Sequence, residues 1–165
     1  MKFKFCPICG RKLIYKYSWD EGNVPYCEKH KMLFFDVPKP CIVVAVIRDN
    51  EILLLKQSYI YKNSEILISG YVCQNETVEE AVHREVREET GINIKNIKYL
   101  GSQFLKDKEI LMLTFMAFYD NGEISISKEV EQAKWRNIDN ITSYMKEDII
   151  GKKIIAKVIQ ELKID

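Results

Sequence analysis

The sequence predicts an α/β fold: a mixed β-sheet packed against helices, preceded by a small metal-stapled module. Three observations predict it. Short β-branched and aliphatic runs alternate with one strongly capped helix and an apolar-striped helical tail. The paired cysteine knuckles all fall before residue 36, ahead of Pro38 and Pro40. At 165 residues, the chain has room for one compact domain and a small appendage.

Residues 1–36 form the first predicted unit. Cys6, Cys9, Cys27 and His30 read C-x2-C-x17-C-x2-H, the spacing of two knuckles that hold a structural Zn²⁺ tetrahedrally. With four protein ligands the site is structural, and so small a ribbon draws most of its stability from the metal. Asp20-Glu21-Gly22-Asn23 reads as a turn between two strands. Pro38 and Pro40 mark a linker, and residues 41–165 form the second unit.

In that unit Ile42 to Ile47 is a continuous β-branched run, a buried strand. Asp49-Asn50 turns it into a partner at Ile52 to Leu55, and Ile66 to Ile68 is a short third strand. Thr77 N-caps a helix over Val78 to Glu89, with Glu80 completing a capping box and Gly91 ending it. Leu111 to Tyr119 and Glu123 to Ile126 read as a hairpin joined at Asp120-Asn121-Gly122. Ala133 to Asn137 is a last strand. Ile150, Ile154 and Val158, with Ile155, Ile159 and Leu162, mark an amphipathic terminal helix.

Composition narrows the function. Lys and Arg total 25 against 24 Asp and Glu, a net charge of +1, with no basic stripe for long nucleic acid. A short or capped RNA end is still admissible. No apolar run approaches the roughly 18 residues of a membrane helix. Met1 to Phe5 lacks a signal peptide's apolar stretch, so the expected location is the cytoplasm. A reducing compartment also argues for metal over disulfides at the cysteines.

The helix breaks a rule. On a wheel, Val78, Ala81, Val82 and Val86 form the inner face, and Glu85, Glu88 and Glu89 fall on the same side. Buried carboxylates need partners. Acidic groups in a last turn also oppose the helix dipole, by roughly 0.3–1 kcal/mol each. Spacings of i, i+3 and i+4 put the three within reach of one volume, where a divalent cation would resolve the repulsion. Oxygen-only ligands suit Mg²⁺ or Mn²⁺. A solvated acidic helix end is the other reading of the helix taken alone.

The segment from Gly70 to Ile92 resembles the Nudix signature G-x5-E-x7-R-E-U-x-E-E-x-G-U, where U is a bulky aliphatic. Gly70, Glu76, Arg84, Glu85, Val86, Glu88, Glu89, Gly91 and Ile92 fill all nine specified positions over 23 residues. The resemblance implies a Nudix α/β/α sandwich with a mixed sheet and a Mg²⁺/Mn²⁺-dependent hydrolase of nucleoside diphosphate derivatives. It implies that Glu85, Glu88 and Glu89 ligate the metal, or that one acts as base. Arg84 would orient them, Glu76 would fix the loop, and the Gly70 carbonyl would approach the metal. A further carboxylate is expected before the last strand, with Glu129 and Glu131 as candidates and Gln132 where Glu is usual.

A zinc ribbon ahead of such a domain is similar to the NADH pyrophosphatases, some of which also remove NAD caps from RNA. Ser102-Gln103, Leu111-Met112, Phe115-Met116-Ala117 and Tyr119-Asp120 extend the likeness. The subfamily reads Ser-Gln-Pro-Trp-Pro-Phe-Pro where this chain reads Ser102-Gln103-Phe104-Leu105-Lys106-Asp107-Lys108, so the pattern tied to NADH is gone. Lys106 and Lys108 face a phosphate or are merely solvated. The expected substrate is NADH, NAD or an ADP-ribose-like compound, releasing AMP, and the likeness implies a homodimer. Tyr71 stacks on a base or packs beside the sheet, and Gln103 and Phe104 are further substrate-binding candidates, with core packing favoured for Phe104. Trp135 is expected in the core. Cys41, Cys73 and His83 receive no role. A non-catalytic nucleotide sensor or RNA-binding module, and a nucleoside triphosphate pyrophosphatase, are the competing readings.

Overall fold

The computed structural model describes residues 3–163; Met1, Lys2, Ile164 and Asp165, the outermost residues of the two predicted domains, lie outside the described residues. Two compact units are present, Met1–Pro38 and Lys39–Asp165.

The first unit is an antiparallel sheet of β1 (Ile14–Ser18), β2 (Gly22–Cys27) and β3 (Met32–Leu33), in that order. The expected turn forms as a single 3-10 turn at Trp19–Glu21, and Ser18 pairs with Gly22. Cys6, Leu13 and Cys27 form a buried cluster with Cys9 and Phe34 packed against them, and Val24 is also buried. So little apolar burial cannot hold a fold alone.

The second unit is built on β4 (Lys39–Arg48), β5 (Glu51–Lys56), β6 (Ile68–Tyr71), β7 (Asn93–Leu105), β8 (Ile110–Asn121) and β9 (Gln132–Asn137). The sheet runs β7-β8-β4-β5-β9, and β6 also pairs with β4. It is mixed: β4 and β8 are parallel and the other pairs antiparallel. The apolar run of β4 is continuous because both of its faces are covered. Ile42, Val44 and Val46 pack with Ala81, Val82 and Val86 of α1 (Val78–Thr90). Val43, Ala45 and Ile47 pack with Ile154, Ile155 and Val158 of α2 (Ile149–Leu162). The result is the α/β/α sandwich expected.

Four details differ from the sequence expectation. The sheet takes in Pro40, because its carbonyl can still accept from the Val72 N–H (3.1 Å) near the start of β4, where a missing donor is tolerated. The third strand lies later than Ile66–Ile68, since its register against β4 runs from Val44↔Ile68 to Cys41↔Tyr71 and carries Gly70 into the sheet. Glu123 to Ile126 is not a strand. β7 already occupies the edge of β8, with Asn93 opposite Asn121. The segment after Gly122 instead closes the end of α1, where the Ser125 N–H donates to the Thr90 carbonyl (2.8 Å). β7 itself was not expected. Three register shifts interrupt its pairing, and the same irregularity breaks the alternation a strand would show in sequence.

Candidate active site

The site begins with the way α1 is started and stopped. Thr77 Oγ1 accepts from the Glu80 N–H (3.2 Å), and Glu80 Oε2 accepts from the Thr77 N–H (2.7 Å), a complete capping box. Gly91 ends the helix in the left-handed region at φ 76°. Between them, the three last-turn carboxylates do not share one buried face as the wheel suggested. Glu89 is 7% exposed, the Glu85 side chain 13% and the Glu88 side chain 60%. They form a graded series from core to solvent, because Glu88 and Glu89 point about 100° apart around the helix axis and only Glu89 follows Val82 and Val86 inward.

Arg84 ties this series to the preceding loop. Its Nε and one terminal nitrogen form a fork on Glu76 at 2.9 and 2.7 Å. The other terminal nitrogen donates to Glu85 (2.7 Å) and Glu88 (3.1 Å), and the Tyr71 carbonyl accepts a further bond at 2.9 Å. Glu76 also accepts from the Cys73 N–H (2.5 Å), which closes the loop onto the helix. The Arg84 bonds and the Cys73 N–H hold the Glu76 carboxyl down to about 2. Arg84 thus bridges the Glu76 loop to Glu85 and Glu88.

Glu89 has the opposite environment. Its Oε1 accepts from Gln57 Nε2 at 2.7 Å, and Gln57 is itself buried. Its Oε2 is buried without a hydrogen-bond partner among the described residues. Burial pushes this carboxyl up to about 7, against the Gln57 bond, and the charges of Glu85 and Glu129 add to the rise. Burial also raises Glu85, with Arg84 pulling the other way. Gly70 lies against the Glu85 carboxylate: a Cβ on it would stand 1.9 Å from Glu85 Oε1, so a side chain there would displace that carboxylate.

These groups open into a cleft of about 520 Å³. Gly70, Tyr71, Glu85, Glu89 and Glu129 line it together, with Tyr59 and Tyr61 from the loop after β5. Leu105, Lys108, Ile110 and Met112 come from the β7–β8 hairpin, and Asp148, Ile150 and Ile154 from the start of α2. Glu76, Arg84 and Glu88 stand outside its lining. Of the two candidates before the last strand, Glu129 lines the cleft, whereas Glu131 accepts from the Ser58 N–H (2.9 Å) and hydroxyl (2.8 Å) and so clasps the loop. Gln103 turns to Met112 Sδ (3.7 Å). Phe104 is neither core nor cleft: it is 55% exposed, because alternation along β7 sends it to the face opposite Leu105. Trp135 is half-buried, with Arg48 over its ring at 4.1 Å and Tyr119 at its edge. Lys108 is the one cation of the cleft lining among the described residues.

Sequence reasoning missed Gln57, Tyr59 and Asp148. The Tyr59 phenol is raised by partial desolvation and by the charges of Glu89, Glu129 and Glu85, which places it before the same carboxylates. Asp148 N-caps α2 by accepting from the Gly151 N–H (2.8 Å), and burial raises its carboxyl. Its position before an apolar-periodic run is an N-cap signal that was available. No spacing links Gln57 to Glu89.

The residues fit a hard divalent cation. The donors are all oxygens, and the buried Glu89 Oε2 has no hydrogen-bond partner among the described residues and stands near the like charges of Glu85 and Glu129, which a proton or a cation relieves. In the first unit, the ligand atoms of Cys6, Cys9, Cys27 and His30 all lie within 4.8 Å of one another. The Cys9–Cys27 sulfur separation is 3.9 Å, and His30 Nδ1 lies 3.5 and 3.6 Å from Cys6 and Cys27 Sγ. Tetrahedral zinc at usual bond lengths calls for edges of about 3.8 Å (S···S) and about 3.5 Å (S···N). This quartet could therefore bind zinc. Burial opposes ionisation of Cys6, but the N–H groups of Ile8 and Cys9 and the His30 ring hold its thiol at about 6.

Comparison with known proteins agrees with this geometry. The NUDIX domain family matches residues 38–158. The chain is 34% identical over 158 residues to the NAD-capped RNA hydrolases NudC of Shigella dysenteriae serotype 1 (strain Sd197) and Escherichia coli (strain SMS-3-5 / SECEC). That match covers 94% of this chain and 60% of each relative, so the chain spans about three fifths of their length. In fold it is similar to a NUDIX hydrolase from Nitrosomonas europaea, with a TM-score of 0.75 at 21% identity, covering 91% of this chain and 87% of that one. No described helix is long and apolar enough to cross a membrane. With an intact signature at the mouth of the cleft and a matching family over most of its length, the chain belongs to the Nudix family.

Proposed function

We propose that the chain is a Mg²⁺- or Mn²⁺-dependent pyrophosphohydrolase that cleaves the diphosphate of NADH, NAD or an ADP-ribose-like compound and releases AMP. The observation that carries this reading is Glu89 Oε2, buried and unpartnered in a cleft it shares with Glu85 and Glu129. The relatives named NAD-capped RNA hydrolase support an NAD-type dinucleotide, free or at the end of an RNA.

Glu85, Glu88 and Glu89, with Glu129 and Gly70, would hold the cation. Bound there, it would neutralise diphosphate charge and activate water for attack at phosphorus. The chain's own residues do the positioning. Gln57 fixes the Glu89 carboxylate through Oε1, so the free oxygen keeps one orientation. Arg84 holds Glu85 and Glu88 while Glu76 anchors Arg84. Tyr59 and Tyr71 at the rim offer flat faces to a base, and Lys108 offers a charge to a phosphate. In the same reading, residues 1–36 are a zinc ribbon held by Cys6, Cys9, Cys27 and His30. Residues 41–165 are the hydrolase domain, and the protein is a cytoplasmic homodimer.

Mass-spectrometric product analysis with NADH, NAD and ADP-ribose, with and without Mg²⁺ or Mn²⁺, tests the reaction. AMP is expected only with metal, together with the matching mononucleotide or ribose phosphate. AMP from ADP-ribose alone would keep the cleavage and narrow the substrate. No AMP from any of the three would overturn the proposal.

A further inference from the structure

Among the described residues the cleft has a second buried carboxylate, far in sequence from the signature. Asp148 is 8% exposed and lines the cleft with Ile150, Gly151 and Ile154 at the start of α2. The walls nearby are apolar: Val43, Leu67 and Ile154 belong to the packed layer between the sheet and α2. Asp148 Oδ1 is committed to the helix, where it accepts from the Gly151 N–H (2.8 Å). Its Oδ2 lies over Gly151, and a Cβ there would stand 2.1 Å from this oxygen and 2.3 Å from Met145 Cε. Glycine in the first turn of α2 thus leaves Oδ2 uncovered, at the usual cost of glycine inside a helix.

Two tyrosines distinguish the ends of the cleft. The charges of Glu89, Glu129 and Glu85 act on Tyr59, whereas those of Asp148 and Glu147 act on Tyr61. Tyr61 is half-buried and also lines the cleft. One end therefore gathers the box carboxylates. The other offers a single carboxylate and a phenol between apolar walls. A hard cation takes about six or more oxygens. Glu147 is exposed and turned to the Asn63 N–H (3.0 Å), which leaves Asp148 as the one carboxylate lining this end among the described residues. An ionised carboxylate accepts hydrogen bonds and donates none. Burial opposes its charge, but the N–H groups of Gly151 and Ile150 and the charge of Lys152 favour it. One placed acceptor in an apolar recess is the pattern that orients a ring.

We infer that Asp148 is a specificity residue whose Oδ2 accepts from an exocyclic NH2 group on a flat ring seated at the Tyr61 end of the cleft. On the proposed reading of the cleft as a dinucleotide site, that group is the amine of adenine or the carboxamide of nicotinamide. The deaminated rings, hypoxanthine and nicotinate, present an oxygen at the same place and set acceptor against acceptor.

The test is metal-free binding of four phosphate-free probes to the full chain, followed by NMR titration: adenosine against inosine, and nicotinamide against nicotinate. No probe needs the cation or hydrolysis, so failure here and failure of the proposed reaction are read separately. The parent should favour the amino member of at least one pair by roughly tenfold or more. Preference in one pair alone names that ring as the occupant, and preference in both shows that either ring fits. Asp148→Asn keeps the helix cap through Oδ1 and turns an NH2 donor to the cleft, so the preference should reverse. Asp148→Ser also caps the helix but has no second oxygen, and it should remove the preference without reversing it. A merely structural role would weaken both members of a pair equally in either variant. That result would overturn the inference. So would equal affinity of the parent for both members of both pairs, no binding of any probe, or the parental preference retained in the Asn variant.

Discussion

Glu89 concentrates the physics of the site in one side chain. Its carboxyl stands near 7 rather than its ordinary 4.5, first because it is buried. The sign of the resulting pH dependence follows. Between pH 4.5 and about 7 the folded protein keeps a proton that the unfolded chain has lost, so metal-free stability falls as pH rises through that window. Glu85 and Asp148, both raised by burial, act in the same direction. Glu76 acts oppositely and lower down, contributing stability above 4.5 that is lost as pH falls toward 2. Metal-free Glu89→Gln should therefore flatten the decline in stability between pH 5 and 7.5, by on the order of 3 kcal/mol. Urea titrations at both pH values check this, and equal slopes in parent and variant would contradict it. At this scale the signature residues were legible because their types and spacing are invariant features of one motif. Glu129 and Glu131 could not be told apart in sequence, since only the fold brings Ser58 to Glu131. Gln57 was illegible because its partner lies 32 residues away.

At the scale of the element, α1 is specified by its ends. The capping box and Gly91 were readable and stand where expected. Gly91 is needed twice over: its φ of 76° suits glycine, and a Cβ there would meet Ser125 Cβ at 3.0 Å and the Glu123 carbonyl at 3.1 Å. Gly91→Ala should cost about 1–2 kcal/mol from the left-handed backbone alone, measured as a lower urea midpoint with an unchanged m-value. An unchanged midpoint would show that the helix stop is not set here. The same contacts explain why Asn121-Gly122 misled. An Asn-Gly pair signals a hairpin only if the following segment is free to pair, and Ser125 is bound to the helix end instead. β7 was hidden because its bulges shift the side chains out of strict alternation, leaving Ile94, Ile97 and Leu100 three residues apart instead of at a strand's spacing of two.

Over the whole molecule, the two units differ in what holds them. The second has two apolar layers, one on each side of its sheet. Among its described residues the first has four that are buried, Cys6, Leu13, Val24 and Cys27, two of them cysteines of the quartet. Chelation of zinc, or Cys6→Ser, should abolish hydrogen-exchange protection of the β1–β2 amides and leave β4, β5 and β8 protected. Retained protection in β1–β2 would show that the ribbon stands without metal. The α/β/α architecture was legible because both faces of β4 are apolar in sequence, whereas the cleft was not, since it is assembled from the box loop, the loop after β5, the β7–β8 hairpin and the start of α2. The central claim, that box carboxylates bind the cation that drives diphosphate cleavage, is tested most directly by Mn²⁺ titration of parent, Glu88→Gln and Glu89→Gln, with AMP release followed in the same samples. Loss of Mn²⁺ affinity and of orders of magnitude in kcat in both folded variants is the predicted result. Parental Mn²⁺ binding and full AMP release in both would contradict it.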